Sequence, residues 1–355
     1  MLFRSRLASK IVYEMFADLE YSVTPIDFNF NGWSTILQQL ELASSPGLPL
    51  RREFATQSDC LPYIYDQAKR LNHFAKFLPP WKVEAPPCMI GLRPGLTEHA
   101  ELESKVKARG VWAYPAAVKV IEMRYTIPLL EKMSQLFGRI PYVTGINMNK
   151  GLPMVIDDLL VPGNSGMVFD VSHLDDSIGP DYLAWAFDLI RSWFDFGFTQ
   201  SGITRNKHVF DFIQYYFVRT PVLLPSGQLV RKYGGVPSGS GFTQIVDTVV
   251  TLLINVYALI MNGLTKDQIK AYAVGDDIAM SVPNSYSVAG HSKTLRILGF
   301  EINESKVMFS SKGEDLIFLG YSRHGGHVRR ELLELIKTAL FPERFVGSQG
   351  RSCDR

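Results

Sequence analysis

The sequence predicts an α+β fold of short strands packed by apolar helices. Three stretches carry that expectation. Residues 269–282 run as an apolar strand, a turn at Gly275 and a second apolar strand, the pattern of a hairpin. Met167-Val-Phe-Asp170 is another short apolar strand, and it ends in a carboxylate. Residues 242–262 form a long apolar run that follows a glycine-rich loop and stops at Gly263, as a buried helix with a glycine terminator does.

Composition narrows the function classes. The chain has 355 residues, 46% of them apolar and 20% charged, with a net charge of +2. That suits one large body or roughly two to three subdomains. It excludes a general polycation, so any nucleic-acid surface has to be a local channel. Cys60, Cys88 and Cys353 are odd in number and lack ligand spacing, which argues against a disulfide framework or zinc site and for a reducing compartment. The longest apolar run, 248–261, is shorter than a membrane span and is interrupted by Asn255. It reads as a buried helix, with no membrane insertion expected.

Taken in order, residues 1–19 suggest an amphipathic first helix. Arg4, Arg6 and Lys10 precede the first acid, Glu14, so a mitochondrial presequence is the other reading. Residues 1–100 read as mixed helix and loop, with turns at Asn31-Gly32 and Ser44-Ser-Pro-Gly47 and a stiff passage around Trp81 between two Pro-Pro pairs. Between Lys105 and Arg124 there are five basic residues and one acid, Glu122. Lys105, Lys107 and Arg109 alternate, which puts all three on one face of an extended strand. Such an array suits a triphosphate or a nucleic-acid backbone; a solvated edge strand with protective lysines is the plainer alternative.

Asp170 and Asp175 stand in a D-x4-D arrangement that runs into a helix over 181–194 with Pro180 at its first position. An acid at the C-terminal end of a strand lies where open sheets place catalytic groups. His173 between them reads as a packed or surface histidine. Residues 195–228 read as an irregular excursion. The loop Gly234-Gly-Val-Pro-Ser-Gly-Ser-Gly241 permits close backbone approach, and Ser238, Thr243 and Asp247 can face one ligand from it and the helix behind. It lacks the Gly-Lys-Ser/Thr of a Walker loop. Asp276 and Asp277 then sit side by side at a hairpin tip, where they repel each other unless a divalent cation lies between them and a polyanion. A helix over 286–298 with a glycine stop, the segments 300–306 and 316–321, a Gly325-Gly326 turn, a basic end at Arg329-Arg330 and a helix over 331–340 complete the chain.

A basic strand, D-x4-D, a Ser-Gly-rich loop with Thr, a Gly-Asp-Asp hairpin, a helix and a lysine, in that order, resemble the RNA-dependent RNA polymerases of RNA viruses. Trp112-Ala-Tyr-Pro115, Gly235-Val-Pro-Ser-Gly-Ser240 and Phe318-Leu-Gly-Tyr321 are most similar to the double-stranded RNA partitiviruses and their relatives. The resemblance spans residues 44–330. It implies a right-hand fold: fingers over 1–166, palm over 167–194, a fingers insertion over 195–228, palm again over 229–328, and a rudimentary or cut-short thumb over 329–355.

The resemblance also implies roles. Asp170, Asp276 and Asp277 would hold two Mg²⁺ (or Mn²⁺) ions about 3.5–4 Å apart. Lys306 would protonate the pyrophosphate leaving group. Asp175, Ser238, Gly239, Thr243 and Asp247 would read the incoming ribose through its 2′-hydroxyl, although many polymerases carry Asn where Asp247 stands. Lys105, Lys107 and Arg109 would line the path of the nucleotide, with Arg109 on the triphosphate. Ser45 and Gly47 would guide the template, and Leu319, Gly320 and Tyr321 would grip the primer strand. The implied partners are an RNA template, the nascent RNA strand, ribonucleoside triphosphates and a viral capsid protein, with work in the host cytoplasm inside the virion. A short thumb puts processive synthesis in question. Two other readings remain: a non-catalytic polymerase copy that binds RNA, and a reverse transcriptase, although that class usually carries Ala or Met before Asp-Asp.

Overall fold

A computed structural model describes residues 2–94, 108–197 and 202–340. In chain order the first helices are α1 (Leu2–Met15), α2 (Phe30–Gln39) and α3 (Leu61–Phe77), followed by strands β1 (Cys88–Pro94) and β2 (Ala108–Ala113). Helices α4 (Ala116–Gln135) and α5 (Met148–Leu159) lead to β3 (Asn164–Phe169), β4 (Val171–Ser172), the short α6 (Leu174–Ser177), α7 (Pro180–Ser192) and α8 (Gly202–Val218). Then come β5 (Pro221–Leu223), β6 (Leu229–Arg231), α9 (Thr243–Met261), β7 (Lys270–Val274), β8 (Asp277–Pro283), α10 (Val288–Ile297), β9 (Glu301–Ile302) and β10 (Met308–Ser310). A hairpin of β11 (Ser322–His324) and β12 (His327–Arg329) precedes α11 (Leu332–Leu340).

The central sheet has the order β10-β3-β8-β7 and is antiparallel throughout. Its strands alternate faces as a two-sided sheet requires. Met167, Phe169, Ile278 and Met280 point into the large core with α9 and α7, while Val168 and Ala279 point to a second cluster with α5, Leu316 and Phe318. A second sheet, β2-β1-β5-β6, lies apart from it, and α2, α3 and α4 share a smaller core of their own. Helix α9 is long and apolar enough to cross a membrane by length and composition. Nearly all of its residues are buried inside the molecule, so it is the core helix that the sequence suggested.

One expectation changes. The stretch read as irregular, 195–228, holds α8, a 17-residue helix. Its charges at Arg205 and Lys207 obscured an apolar face: Val209, Phe210, Phe212, Ile213, Tyr216 and Phe217 are all buried at helical spacing. Of the expected basic strand, the described part is Ala108–Ala113; Lys105 and Lys107 lie outside the described residues.

Candidate active site

Pairing of β3 with β8 sets Phe169 opposite Ile278. One further step along that register brings Asp170 level with Asp277, the first residue of β8. Asp276 precedes it in the turn, where Gly275 adopts φ +63°, a conformation that side-chain-bearing residues avoid. Helix α9 holds this turn from behind. Thr248 Oγ1 accepts the Gly275 N–H at 2.8 Å, and Thr251 Oγ1 donates to the Gly275 carbonyl at 2.9 Å. Both backbone groups of the glycine are therefore fixed, and with them the direction in which the two aspartates project.

Lys306 reaches the same place by another route. Strand β9 pairs with β4 immediately after Asp170, and the Asn303 N–H donates to the Asp170 carbonyl at 3.3 Å. The following turn brings Lys306 Nζ to 2.5 Å from Asp170 Oδ2. Burial first, then the charges of Asp276 and Asp170, push the Asp277 carboxyl up to about 6, while Lys306 draws it down. Asp247, on the first turns of α9, is 8% exposed and its Oδ1 has no hydrogen-bond partner. Burial, then Asp175 and Asp276, push its carboxyl up to about 8. Asp175 is also raised, by burial and then by Asp176, with a smaller contribution from Asp276. Its side chain is exposed at the rim of this group.

Five acids from three separate segments thus share one electrostatic environment. Among the described residues no three His, Cys, Asp or Glu side chains are drawn tightly enough together to ligate an ion. The donor set nevertheless fits a hard divalent cation: the side chains are oxygen donors, and the mutual repulsion that raises Asp277 is what a cation would relieve.

The glycine-rich loop borders this cluster. On one side, the Gly235 N–H donates to the Ile178 carbonyl and the Val236 N–H to the Asp175 carbonyl, both at 2.8 Å. On the other, the Trp112 N–H donates to Ser238 Oγ at 3.2 Å. A Cβ at Gly239 would lie 2.4 Å from the Trp112 carbonyl oxygen, so only glycine fits there. Thr243 Oγ1 donates to the Pro237 carbonyl at 2.7 Å. The loop that carries Ser238 and Gly239 is thus bonded to Thr243 and to the Asp175 backbone, and Asp247 feels the charge of Asp175.

The remaining expected site residues lie on neighbouring elements. Arg109 lies on β2 opposite Arg93. Gly47, at φ +66°, packs against the backbone of Tyr114 and Pro115, and the Ala116 N–H donates to the Pro46 carbonyl; the neighbouring Ser45 is exposed. Leu319 and Gly320 turn at φ +53° and +78°, and Tyr321 lies under the Arg330 guanidinium at 5.7 Å. Leu319 and Tyr321 pack on the α5 side of the central sheet. His173 is exposed, as a surface histidine.

Sequence reasoning missed Thr248, Thr251, Glu122 and Lys232. Glu122 is fully buried on α4, and burial pushes its carboxyl up to about 7 against the donors around it. Lys232 is lowered to about 7 by burial. A signal existed for Thr251: Asp247, Thr251 and Asn255 recur every four residues in a mainly apolar helix, one stripe on one face.

The family described as viral RNA-dependent RNA polymerase matches residues 14–342. The RNA-directed RNA polymerase of Cryptosporidium parvum virus 1 is 27% identical over 239 residues, which is 65% of this chain and 41% of that protein. That of Atkinsonella hypoxylon virus is 29% identical over 149 residues, 39% of this chain and 22% of the relative. The chain thus spans less than half the length of either curated relative. In fold it is similar to the crystal structure of the RNA-dependent RNA polymerase of a human picorbirnavirus, with a TM-score of 0.70 and 16% identity over 95% of this chain and 62% of that one. This likeness gives the α+β architecture its right-hand form. With nearly the whole described chain inside the family match, the protein belongs to the viral RNA-dependent RNA polymerases.

Proposed function

We propose that this chain carries the catalytic centre of an RNA-directed RNA polymerase, joining ribonucleoside triphosphates on an RNA template. The observation that carries the reading is the meeting of Asp170 with Asp276 and Asp277 at one end of adjacent strands. Segments so remote in sequence gain nothing by placing like charges together unless a polyanion and cations are handled there.

In this reading Asp170, Asp276 and Asp277 hold two Mg²⁺ or Mn²⁺ ions. When bound, such ions lower the pKa of a 3′-hydroxyl and screen the triphosphate charge. The chain's own groups do the rest. Lys306, now 2.5 Å from Asp170 Oδ2, would release that carboxylate to a cation and turn its ammonium to the leaving pyrophosphate, as a proton donor. Ser238 Oγ accepts from the Trp112 N–H, so its own proton is free to donate to a sugar hydroxyl. Thr243 Oγ1 spends its proton on Pro237 and keeps lone pairs to accept. A 2′-hydroxyl offers both a donor and an acceptor, which a deoxyribose lacks. Arg109 is assigned to the triphosphate, Ser45 and Gly47 to the template, and Leu319, Gly320 and Tyr321 to the primer strand. The fingers, palm and thumb bounds follow the segments given above. The partners in this reading are RNA and ribonucleoside triphosphates, in the host cytoplasm or a viral particle; a capsid protein rests on the resemblance alone.

Primer extension with purified protein and Mg²⁺ tests the reading. The wild type should extend an RNA primer with ribonucleotides. Asp276→Asn should lower incorporation by at least about a thousandfold, since a lost ligand removes an ion that supplies several kcal/mol of transition-state stabilisation, while RNA binding by filter assay stays within about twofold, because binding rests on phosphate contacts elsewhere. Extension by Asp276→Asn at the wild-type rate would refute the assignment. RNA binding without extension by the wild type would favour the non-catalytic reading.

A further inference from the structure

The loop between Lys232 and Phe242 is anchored at its start by the half-buried Lys232 and at its end by the fully buried Glu122. At its start, Lys232 Nζ donates to the Gly235 carbonyl at 2.6 Å and lies 5.3 Å from the centre of the Phe217 ring. At its end, Glu122 on α4 accepts from Ser240 Oγ at 2.9 Å through either oxygen and from the Gly241 N–H at 2.8 Å, with the Tyr114 hydroxyl donating at 2.9 Å. Ser240 Oγ in turn accepts the Phe242 N–H at 3.1 Å, at the first cap of α9. Gly241 can approach this closely because a Cβ there would already press Thr126 at 3.2 Å.

A fully buried carboxylate is an expensive way to join a helix to a loop. An apolar residue of similar volume would hold the packing as well or better. What a carboxylate adds is direction: two oxygens fix three donors at once, and two of those donors belong to the loop. Between the anchors, Ser238 is exposed and its hydroxyl is tied to a neighbouring element by the Trp112 N–H.

We infer that Glu122 is a positioning residue for sugar selection: by clamping Ser240 and Gly241 it sets the height at which Ser238 and Thr243 meet an incoming ribonucleotide. The inference rests on the ribose reading proposed above and adds the side chain that enforces it. Glu122 touches no reacting atom. Its effect passes through the loop backbone, which is bonded at its other edge to the Asp175 carbonyl through the Val236 N–H.

The test uses Glu122→Gln in the whole chain. Glutamine keeps the shape but offers one acceptor oxygen and an amide donor to a site filled with donors. Hydrogen exchange of the amides over 236–242 should become about tenfold faster, the size of one lost charged hydrogen bond. In primer extension, the preference for ribo- over deoxyribonucleotides should fall by about fivefold, with the deoxyribonucleotide efficiency unchanged. Ser240→Ala severs the same clamp from the loop side, stands in if Glu122→Gln fails to fold, and in a double variant should add almost nothing. Unchanged exchange in a folded Glu122→Gln or Ser240→Ala protein overturns the inference whatever the activity. Faster exchange with intact sugar preference overturns the link to selection. A wild type that extends primers without sugar preference instead sinks the ribose reading, and extension by Asp276→Asn sinks the assignment of the catalytic acids; the exchange result still reports on the clamp in both cases.

Discussion

Replacing Asp247 with Asn should stabilise the protein, and more so in base than in acid. Asp247 is 8% exposed, its Oδ1 is unpartnered, and burial with Asp175 and Asp276 nearby raises its carboxyl from 3.8 to about 8. A carboxyl with a raised folded pKa binds its proton more tightly in the native state than in the unfolded chain. Its favourable contribution is complete below pH 4 and is lost as pH climbs toward 8. At about 1.4 kcal/mol per unit, the loss between pH 5.5 and pH 8 has a ceiling of about 3 kcal/mol. The ceiling is not reached in full, because Asp175, itself raised, titrates with Asp247 and shares the shift. Asparagine does not titrate, so the variant escapes this loss. With an unfolding entropy of about 2.1 cal/mol/K per residue, a chain of this size gains about 1.3 °C per kcal/mol. The melting-temperature advantage of Asp247→Asn over wild type should therefore be larger at pH 8 than at pH 5.5 by up to about 4 °C. Differential scanning fluorimetry in EDTA at the two pH values reads it directly. Saturating Mg²⁺ should shrink the advantage, because a cation on Asp276 removes part of the repulsion that Asp247 feels. Equal advantages at both pH values, or a variant less stable than wild type at pH 8, would refute the reasoning.

Further outcomes follow from the same geometry. Lys306→Ala should slow single-turnover incorporation by about a hundredfold, the ordinary size of a lost general acid, with template affinity unchanged by fluorescence anisotropy; a change under about threefold contradicts the role. Thr248→Val leaves the Gly275 N–H and Thr251→Val leaves its carbonyl without the partner that each now has. Each should cost about 1–3 kcal/mol in a urea melt and lower incorporation as well, because the turn that aims Asp276 loosens. Stability loss with full activity would mean that the threonines serve the core alone.

How much of this was legible in the sequence differs by region, for physical reasons. The hairpin, β3 and α9 announced themselves because local signals agreed with the tertiary outcome. Apolar runs were bounded by Gly263, Gly275 and Gly299, all of which adopt positive φ. The helix starting at Pro180 was equally plain. Helix α8 was hidden because its apolar face is aromatic and its first turns are charged, so hydropathy averaged to nothing. Helix α4 went unrecognised because it is buried on most sides and thus shows no amphipathic period. The order of the acidic motifs was readable, but their meeting depends on antiparallel pairing between β3 and β8, a long-range contact that no local pattern encodes. Glu122 and Lys232 were invisible for a related cause: each acts on a loop that is distant in sequence or lies around a turn, through backbone groups that have no sequence signature.

Helix α9 explains why these parts stay in register. A helix apolar on every side would serve as core and nothing more. This one carries a polar stripe of Asp247, Thr248, Thr251 and Asn255, and its members serve three different contacts. Asp247 meets the acids, Thr248 and Thr251 hold Gly275, and Asn255 Oδ1 lies 2.9 Å from Nε2 of the buried His291 on α10. The same rigid rod therefore fixes the glycine-rich loop at its first turn, the Gly-Asp-Asp turn in its middle and α10 further along. Relative error between those three is limited to the bending of one buried helix, which is small. Loops alone would leave the hydroxyls of Ser238 and Thr243 free to drift against the carboxylates of Asp276 and Asp277. In-line attack in the reaction proposed above would need reacting atoms within about 3–3.5 Å, and a single core helix that touches both segments is a direct mechanical path for holding them to that tolerance.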